Sequence, residues 1–86
     1  MDSLIVTVLN PEKTFREDME LPRNVPAKKL AKDIAETLRN YNEACLEGSY
    51  PNGLFCNRLG RRLNPDETLD SAGVWNGDFI TLIEVW

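Results

Sequence analysis

Two cysteines and fourteen carboxylates are the side chains best suited to chemistry in this 86-residue sequence. Cys45 and Cys56 lie eleven residues apart, a separation that matches no zinc-binding spacing. The sequence has no histidine, so neither thiol has the base that usually makes a cysteine nucleophilic. The carboxylates are scattered along turns and one helical face. We therefore predict a protein that is not an enzyme, with no catalytic site, metal site or cofactor, in which both cysteines are small apolar core or boundary residues.

The beginning of the chain bears on its location. Its first ten residues, MDSLIVTVLN, lack the basic segment and the long apolar segment of a secretory signal. The longest apolar run covers residues 4–6, far short of the ~20 residues that span a membrane. We expect a cytoplasmic protein without membrane insertion, in which the cysteines stay as thiols.

Length and charge restrict the possible functions further. A chain of 86 residues is expected to form a single domain, residues 1–86, too small for a deep enclosed active site. The net charge of −4 disfavours nucleic acid as a partner, because phosphate binding needs a basic surface. One short run, NRLGRR, is basic.

Hydropathy periods predict one helix and five strands. Residues 27–48 carry the clearest helical signal, with Pro26 at the start and Gly48 as the stop. The predicted apolar face of this helix consists of Ala27, Leu30, Ala31, Ile34, Leu38 and Tyr41. A helix with one apolar face must lie against a single layer.

Period-two alternation predicts the strands that form this layer. They are residues 3–9, 14–21, 54–57, 61–63 and 78–85. The order is two strands, the helix and three more strands, the fourth of them short. This order predicts an α+β fold of the β-grasp type: a mixed four- or five-stranded sheet with one amphipathic helix packed across one face.

The segment ETLDSAGVWNGDFITLIEV, residues 67–85, resembles the last third of ubiquitin-like domains. The shared pattern is T-L-x-x-x-G-(I/V)-x-x-G-D-x-(L/I)-x-(L/I), and it is filled by Thr68, Leu69, Gly73, Val74, Gly77, Asp78, Ile80 and Leu82. The physics agrees, since Leu69 and Val74 can close the end of a core and Asp78 can hydrogen-bond the turn before the last strand. The resemblance implies a ubiquitin-like β-grasp.

A second segment, MELPRNVPAKKLAKDI at residues 19–34, resembles the strand-to-helix segment of the YukD/EsaB-like proteins. These are small bacterial ubiquitin-like proteins of type VII (WXG100) secretion systems. The resemblance implies a bacterial protein-interaction module that docks onto secretion-system components. The sequence departs from that family in a longer helix-to-strand region, residues 36–52, and in a larger turn, NRLGRRL.

Two other functions stay open. Ubiquitin-like modifiers and sulfur carriers end in a flexible Gly-Gly tail, whereas this sequence ends in Glu84-Val85-Trp86, almost where its last predicted strand ends. If the natural chain ends there, conjugation and sulfur transfer are not expected. The sequence could instead belong to a modifier or sulfur carrier whose tail is missing here, or be a ubiquitin-like domain cut from a larger membrane or signalling protein.

The sheet face opposite the helix holds the candidate interaction residues. Alternation places apolar side chains there, where a solvent-facing surface is normally polar; they are Ile5, Leu9, Phe55, Phe79 and Ile83. With the β-grasp strand order, we expect Ile5, Phe55 and Ile83 to be neighbours. Ubiquitin carries its main apolar recognition patch on this face, and Leu9, Phe55 and Ile83 resemble the counterparts of that patch. The alternatives are scattered exposed apolar residues or an inward-facing Phe55.

Three arginines are predicted on the rim of this patch, where they suit acidic groups of a partner: Arg58, Arg61 and Arg62. The alternative is that they are solvated in a turn. Trp75 and Trp86 are predicted to pack locally rather than to bind a partner. The edge segment at residues 59–63 could also pair with a partner strand. The sequence thus predicts protein partners, secretion-system components among them, and allows a weak homodimer.

The intact mass of the protein from its source cells tests the alternatives. We expect the mass of the unmodified 86-residue chain, 9.8 kDa. A larger mass, whether from a longer chain or from attachment to another protein, would instead support the parent-domain or the modifier function.

Overall fold

The computed structural model describes residues 2–41, 43–46 and 48–85, and it contains a five-stranded sheet crossed by one long helix. The strands are β1 (Ser3–Leu9), β2 (Arg16–Pro22), β3 (Gly53–Cys56), β4 (Arg61–Arg62) and β5 (Phe79–Ile83). The helical elements are α1 (Ala27–Tyr41), a 3-10 turn (Glu43–Leu46) and α2 (Leu69–Ala72). The predicted α+β β-grasp architecture is confirmed.

The strands lie in the order β2-β1-β5-β3-β4. The central pair, β1 and β5, is parallel, and the other three pairs are antiparallel. The first and last strands are therefore neighbours in the middle of the sheet, and the β1–β2 hairpin and the β3–β4 hairpin complete its two sides.

The core lies between α1 and one face of the sheet. The buried side chains of α1 are Ala27, Leu30, Ala31, Ile34, Ala35 and Leu38. The alternating residues Leu4, Val6 and Val8 of β1 are buried with them, as are Ile80 and Leu82 of β5. The apolar faces predicted for the helix and for the strands therefore pack against each other in one core layer.

The end of α1 differs from the prediction. The helix stops at Tyr41, and the 3-10 turn follows it, so the expected continuation to Gly48 is wrong. Tyr41 was expected in the core but is 71% exposed, with its ring 6.4 Å from the ring of Phe15. Leu38 is the last buried residue of the helix, and apolar spacing in the sequence does not show where burial ends, which is why the pattern places Tyr41 wrongly.

The segment between β4 and β5 closes one end of the core. Leu69 and Val74 are buried, as predicted. The short helix α2 is held by a capping box in which the Thr68 side chain accepts a hydrogen bond from the amide of Ser71, and the Thr68 amide donates to the Ser71 hydroxyl. Gly73 ends this helix at a φ of 82°, a conformation that favours glycine.

The structure describes the side chain of one of the two cysteines. Cys56 is fully buried in the core and its thiol is free, as predicted. The side chain of Cys45 and the whole of Trp86 lie outside the described part of the chain.

Truncation of Leu38 and of Tyr41 tests where the apolar face of α1 ends. We expect Leu38→Ala to lower the free energy of unfolding by about 2–5 kcal/mol, because it leaves a cavity in the core. Tyr41→Ala, three residues further along the same predicted face, should cost less than about 1 kcal/mol, because the side chain is largely exposed. Urea denaturation measures both values, and equal losses would contradict the observed end of the core.

Candidate functional site

The face of the sheet that α1 leaves uncovered, here the open face, carries the predicted interaction residues. Directly paired residues point to the same side of a sheet, so cross-strand pairing arranges the side chains in rows. One row crosses all five strands in the order Arg16, Leu9, Thr81, Phe55 and Arg62. This row and the adjacent Ile83 are called the basic end of the open face.

The apolar centre of the basic end is nearly flush with its surroundings. Leu9 is 9% exposed, and Phe55 and Ile83 are half-buried. Ile83 lies over Gly53, where an added Cβ would come within 3.3 Å of the Ile83 Cγ1 atom. The structure thus brings Leu9, Phe55 and Ile83 to one end of the face as predicted, but their neighbours cover part of their apolar surface.

Ile5 belongs to the opposite end of the open face. It pairs with Glu20, and its carbonyl accepts a hydrogen bond from the Gly77 amide at 2.8 Å. It lies four residue steps from Leu9, a distance of roughly 13 Å along the strand. Ile83 lies further still, because β5 runs parallel to β1 and continues past Leu9. The prediction that Ile5 neighbours Phe55 and Ile83 is therefore wrong.

Exposed apolar side chains and carboxylates meet at the end where Ile5 lies. Ile5 is 56% exposed and Phe79 40%. Thr7 lies between Asp18 and Phe79 in one row, and Glu20 lies beside Ile5 in the next. Both carboxylates accept a hydroxyl hydrogen bond from β1, at 2.7 and 2.6 Å, but neither forms a salt bridge within the described residues. These five residues are called the acidic end of the open face.

Arg58 does not reach the rim of the predicted patch. Its Nε donates to the Asp78 carboxylate at 2.9 Å, and its Nη2 donates to the Gly73 carbonyl at 2.6 Å. The guanidinium lies 3.8 Å from the ring centroid of Trp75. The rim prediction for Arg58 is wrong because these bonds hold its side chain at the corner before β5. Trp75 packs locally, as predicted, but it does so by stacking on Arg58 and stays 64% exposed.

Asp78 organises this corner. Its buried carboxylate accepts hydrogen bonds from Arg58 and, at 2.8 Å, from the Trp75 amide, so the predicted bond to the turn is present. Burial is the largest single influence on the pKa of Asp78 and would raise it. The hydrogen bonds from Arg58, the Trp75 amide and the Cys56 thiol, together with the positive charge of Arg58, outweigh burial, so the pKa lies below its ordinary value. Asp78 is therefore ionised at neutral pH.

Arg61 points away from the open face. It pairs with Cys56, whose side chain lies in the core, so Arg61 leaves β4 on the side of the helix. Its guanidinium forms two hydrogen bonds with the Glu67 carboxylate, at 2.9 and 3.0 Å. Glu67 also accepts from the Asn64 amide at 2.7 Å, and these bonds lower the pKa of Glu67 to about 2. The rim prediction for Arg61 is wrong, and its ion pair instead braces the loop after β4.

Arg62 and Arg16 flank the basic end from its two sides. Arg62 pairs with Phe55 at one edge, and Arg16 pairs with Leu9 at the other. Neither guanidinium forms a salt bridge within the described residues. The sequence analysis missed Arg16 as a candidate. The signal that could have found it is the register of the β1–β2 hairpin, which sets the residue opposite Leu9.

The described residues were searched for a metal site and for a membrane-spanning helix. They contain no group of three or more cysteines or carboxylates that could hold a metal ion. None of their helices has the length and apolar character needed to cross a membrane. At the sheet edges, β4 offers two residues and β2 seven, so the predicted pairing of a partner strand near residues 59–63 would have a short template.

Replacement of Glu67 by Gln tests the assignment of Arg61. The pKa of Glu67 is about 2 in the folded protein, below its ordinary value of 4.5, so its interactions stabilise the fold above pH 4.5 and are lost as the pH falls to 2. We expect Glu67→Gln to lower the free energy of unfolding at pH 7 by about 1 kcal/mol, because the ion pair is partly exposed. The difference from wild type should vanish near pH 2.

Urea denaturation over this pH range measures the effect of Glu67→Gln. Asp66→Asn removes an exposed neighbouring carboxylate and serves as the control, for which we expect little change at any pH. A difference between Glu67→Gln and wild type that stays constant down to pH 2 would contradict the assignment.

Solved structures of ubiquitin-like domains match nearly the whole chain. The ubiquitin-like domain of the Mycobacterium tuberculosis type VII secretion system protein EccD1 is 26% identical, with a TM-score of 0.73, over 98% of this chain and 100% of that chain. The EccD5 ubiquitin-like domain from Mycobacterium xenopi is 22% identical, with a TM-score of 0.66, over 96% of this chain and 94% of that chain. A chain of the MycP5-free ESX-5 inner membrane complex is 24% identical, with a TM-score of 0.65. That match covers 96% of this chain but 21% of that chain. The latter two likenesses show the ubiquitin-like fold alone.

Sequence comparison identifies the family. No curated protein sequence matches the chain. A family profile described as "WXG100 protein secretion system (Wss), protein YukD" matches residues 4–82. The predicted ubiquitin-like fold and the predicted family are both confirmed, and the chain belongs to the YukD family of ubiquitin-like proteins associated with type VII secretion.

Proposed function

We propose that this protein is a non-catalytic docking module of a type VII secretion system. It acts in the bacterial cytoplasm as a single ubiquitin-like domain, and it works by binding proteins of that system through its open face. Membership of the YukD family supports the secretion role. The observation that carries the docking role is the open face itself, which remains uncovered while α1 buries the other face.

The basic end of the open face is the proposed docking surface. Leu9, Phe55 and Ile83 form its apolar centre, and the exposed residues Arg16 and Arg62 lie on its two sides in the strand register. A guanidinium presents several donors in one plane and pairs well with carboxylates. The matching partner surface has an apolar centre and acidic residues at a spacing that reaches both arginines. The apolar contact supplies affinity, and the two arginines fix the orientation.

Phe55→Ser and Ile83→Ser test the docking surface. Each removes apolar surface from the centre of the basic end, so we expect binding of secretion-system proteins to weaken tenfold or more. Both side chains are half-buried, so each change should lower the melting temperature by only about 4–8 °C, the shift that accompanies roughly 1 kcal/mol in a domain of this size. Quantitative pull-down of identified secretion-system proteins from the source cells, with thermal melts of each variant, measures both effects.

The control for these variants is Lys32→Ser, on the exposed side of α1, which should bind like wild type. Retention of full binding by both Phe55→Ser and Ile83→Ser would overturn the docking surface. Unfolding of either variant would show that its side chain is essential to the core. That result would also overturn the proposed docking surface.

A second candidate function is that of a domain within a longer membrane component. The likeness to ubiquitin-like domains of EccD proteins favours it, and the chain spans about a fifth of the matched protein in the ESX-5 inner membrane complex. In that case the same open face would bind other components beside a membrane. Sequencing of the native transcript beyond the codon for Trp86 decides between a separate protein and a domain of a longer one.

A further inference from the structure

The two ends of the open face carry opposite charge, and both hold apolar side chains, which are more exposed at the acidic end than at the basic end. The basic end has Arg16 at the outer edge of β2, beside Leu9. The acidic end has Glu20 at the outer edge of the same strand, beside Ile5. Thr7 lies midway between Leu9 and Ile5 on β1. One end of the face is thus the chemical complement of the other end.

From this complementarity we propose that two copies of the chain associate through their open faces in a two-fold dimer. The axis lies in the interface, crosses the strands at right angles and passes at the level of Thr7. Rotation about such an axis reverses the direction of the strands, so the basic end of each copy covers the acidic end of the other. A two-fold contact of this kind uses one patch twice and closes on itself.

The pairs that this rotation creates follow from the strand register. Arg16 of one copy meets Glu20 of the second copy, and the reciprocal pair forms on the other side of the axis. Leu9 meets Ile5 of the second copy, which covers the most exposed apolar side chain of β1. Phe79 shares the row of Thr7, so the two copies bring their exposed Phe79 rings together near the axis.

The size of the contact sets its strength. The rows from Ile5 to Leu9 span roughly 13 Å, and five strands span roughly 19 Å in width. This area is well under the ~800 Å² that each partner buries in a standard interface, so the dimer is weak and forms at high protein concentration. The net charge of −4 on each copy also opposes association, and the two Arg16–Glu20 pairs offset this repulsion locally.

One like-charge contact provides an independent signature. Asp18 shares the row of Thr7 and Phe79, so the two Asp18 carboxylates face each other at the rim of the dimer, with water between them. Removal of that charge should strengthen the association. Loss of folding cannot imitate this result, because an unfolding variant would not dimerise more tightly.

Sedimentation equilibrium of the full chain, from micromolar to millimolar concentration, tests the dimer. We expect the average mass of the wild type to rise above the monomer mass with concentration. Arg16→Glu and Glu20→Arg should each weaken association about tenfold or more, because each places two like-charged pairs across the axis. An equal mixture of the two variants should restore it, because every pair in the mixed dimer is again opposite in charge. Asp18→Asn should associate more tightly than wild type.

Several results would overturn the dimer. One is a wild-type mass that stays at the monomer value at millimolar concentration. Another is a mixture of Arg16→Glu and Glu20→Arg that associates no better than either variant alone. If Arg16→Glu or Glu20→Arg melts well below the wild type, the charge-reversal test is replaced by Asp18→Asn. In that case, an Asp18→Asn variant that associates no more tightly than the wild type overturns the proposal. The inference does not rest on the secretion role. The dimer and the proposed secretion partner use the same basic end, so a bound partner would displace the second copy, and a strictly monomeric protein would leave the proposed docking function standing.

Discussion

The parallel pairing of β1 with β5 is the constraint on which the rest of the structure depends. It joins the first and last strands of the chain at the centre of the sheet, with Val8 opposite Ile80 and Leu9 opposite Thr81. Side chains alternate between the faces of a strand, so this register decides at once which residues enter the core and which reach the open face. A shift of one residue would exchange the two sets. The core under α1 and the apolar residues in the middle of the open face therefore depend on this alignment, and the register of the β1–β2 hairpin adds the charged residues at the two ends.

The corner before β5 shows how this alignment is fixed. The Asp78 carbonyl accepts a hydrogen bond from the Thr7 amide at 2.9 Å, and the Asn76 side chain accepts one from the Ile5 amide at 2.9 Å. The carboxylate of Asp78 ties the turn and Arg58 together on the other side. A buried carboxylate is costly unless it is hydrogen-bonded, and here every bond that compensates burial also holds the start of β5 in place. Asp78 thus helps to set the register of the last strand through its backbone, and through its carboxylate it holds the exposed side chain of Arg58 at this corner.

The sequence predicted the fold well because the fold depends on local periodicity. Alternation in β1 and β5 and the helical spacing in α1 each reflect a face in contact with one apolar layer. Short windows of sequence are therefore enough to predict these elements and their buried faces. The candidate site was predicted less well because its composition depends on pairing between distant residues. Arg61 follows Cys56 in register and leaves on the helix side, and Arg16 reaches the patch because it lies opposite Leu9. The prediction for Ile5 was wrong for a related reason. Alternation correctly placed its side chain on the open face, but it contains no information about which residues of neighbouring strands lie at the same end of that face.

The charge distribution on the open face bears on how a ubiquitin-like fold acquires a different partner. The apolar centre of the basic end is partly covered by its neighbours: Leu9 is nearly buried, and the half-buried Phe55 and Ile83 present the apolar surface that is left for a partner. Charge at both ends of a flat face adds little affinity by itself, because exposed ion pairs are weak in water. It does exclude partners that would place like charges together, and it permits one orientation of a partner along the strands. For the proposed docking, selectivity therefore follows from the order of the charged side chains along β2, where Arg16 marks the basic end and Asp18 and Glu20 mark the acidic end.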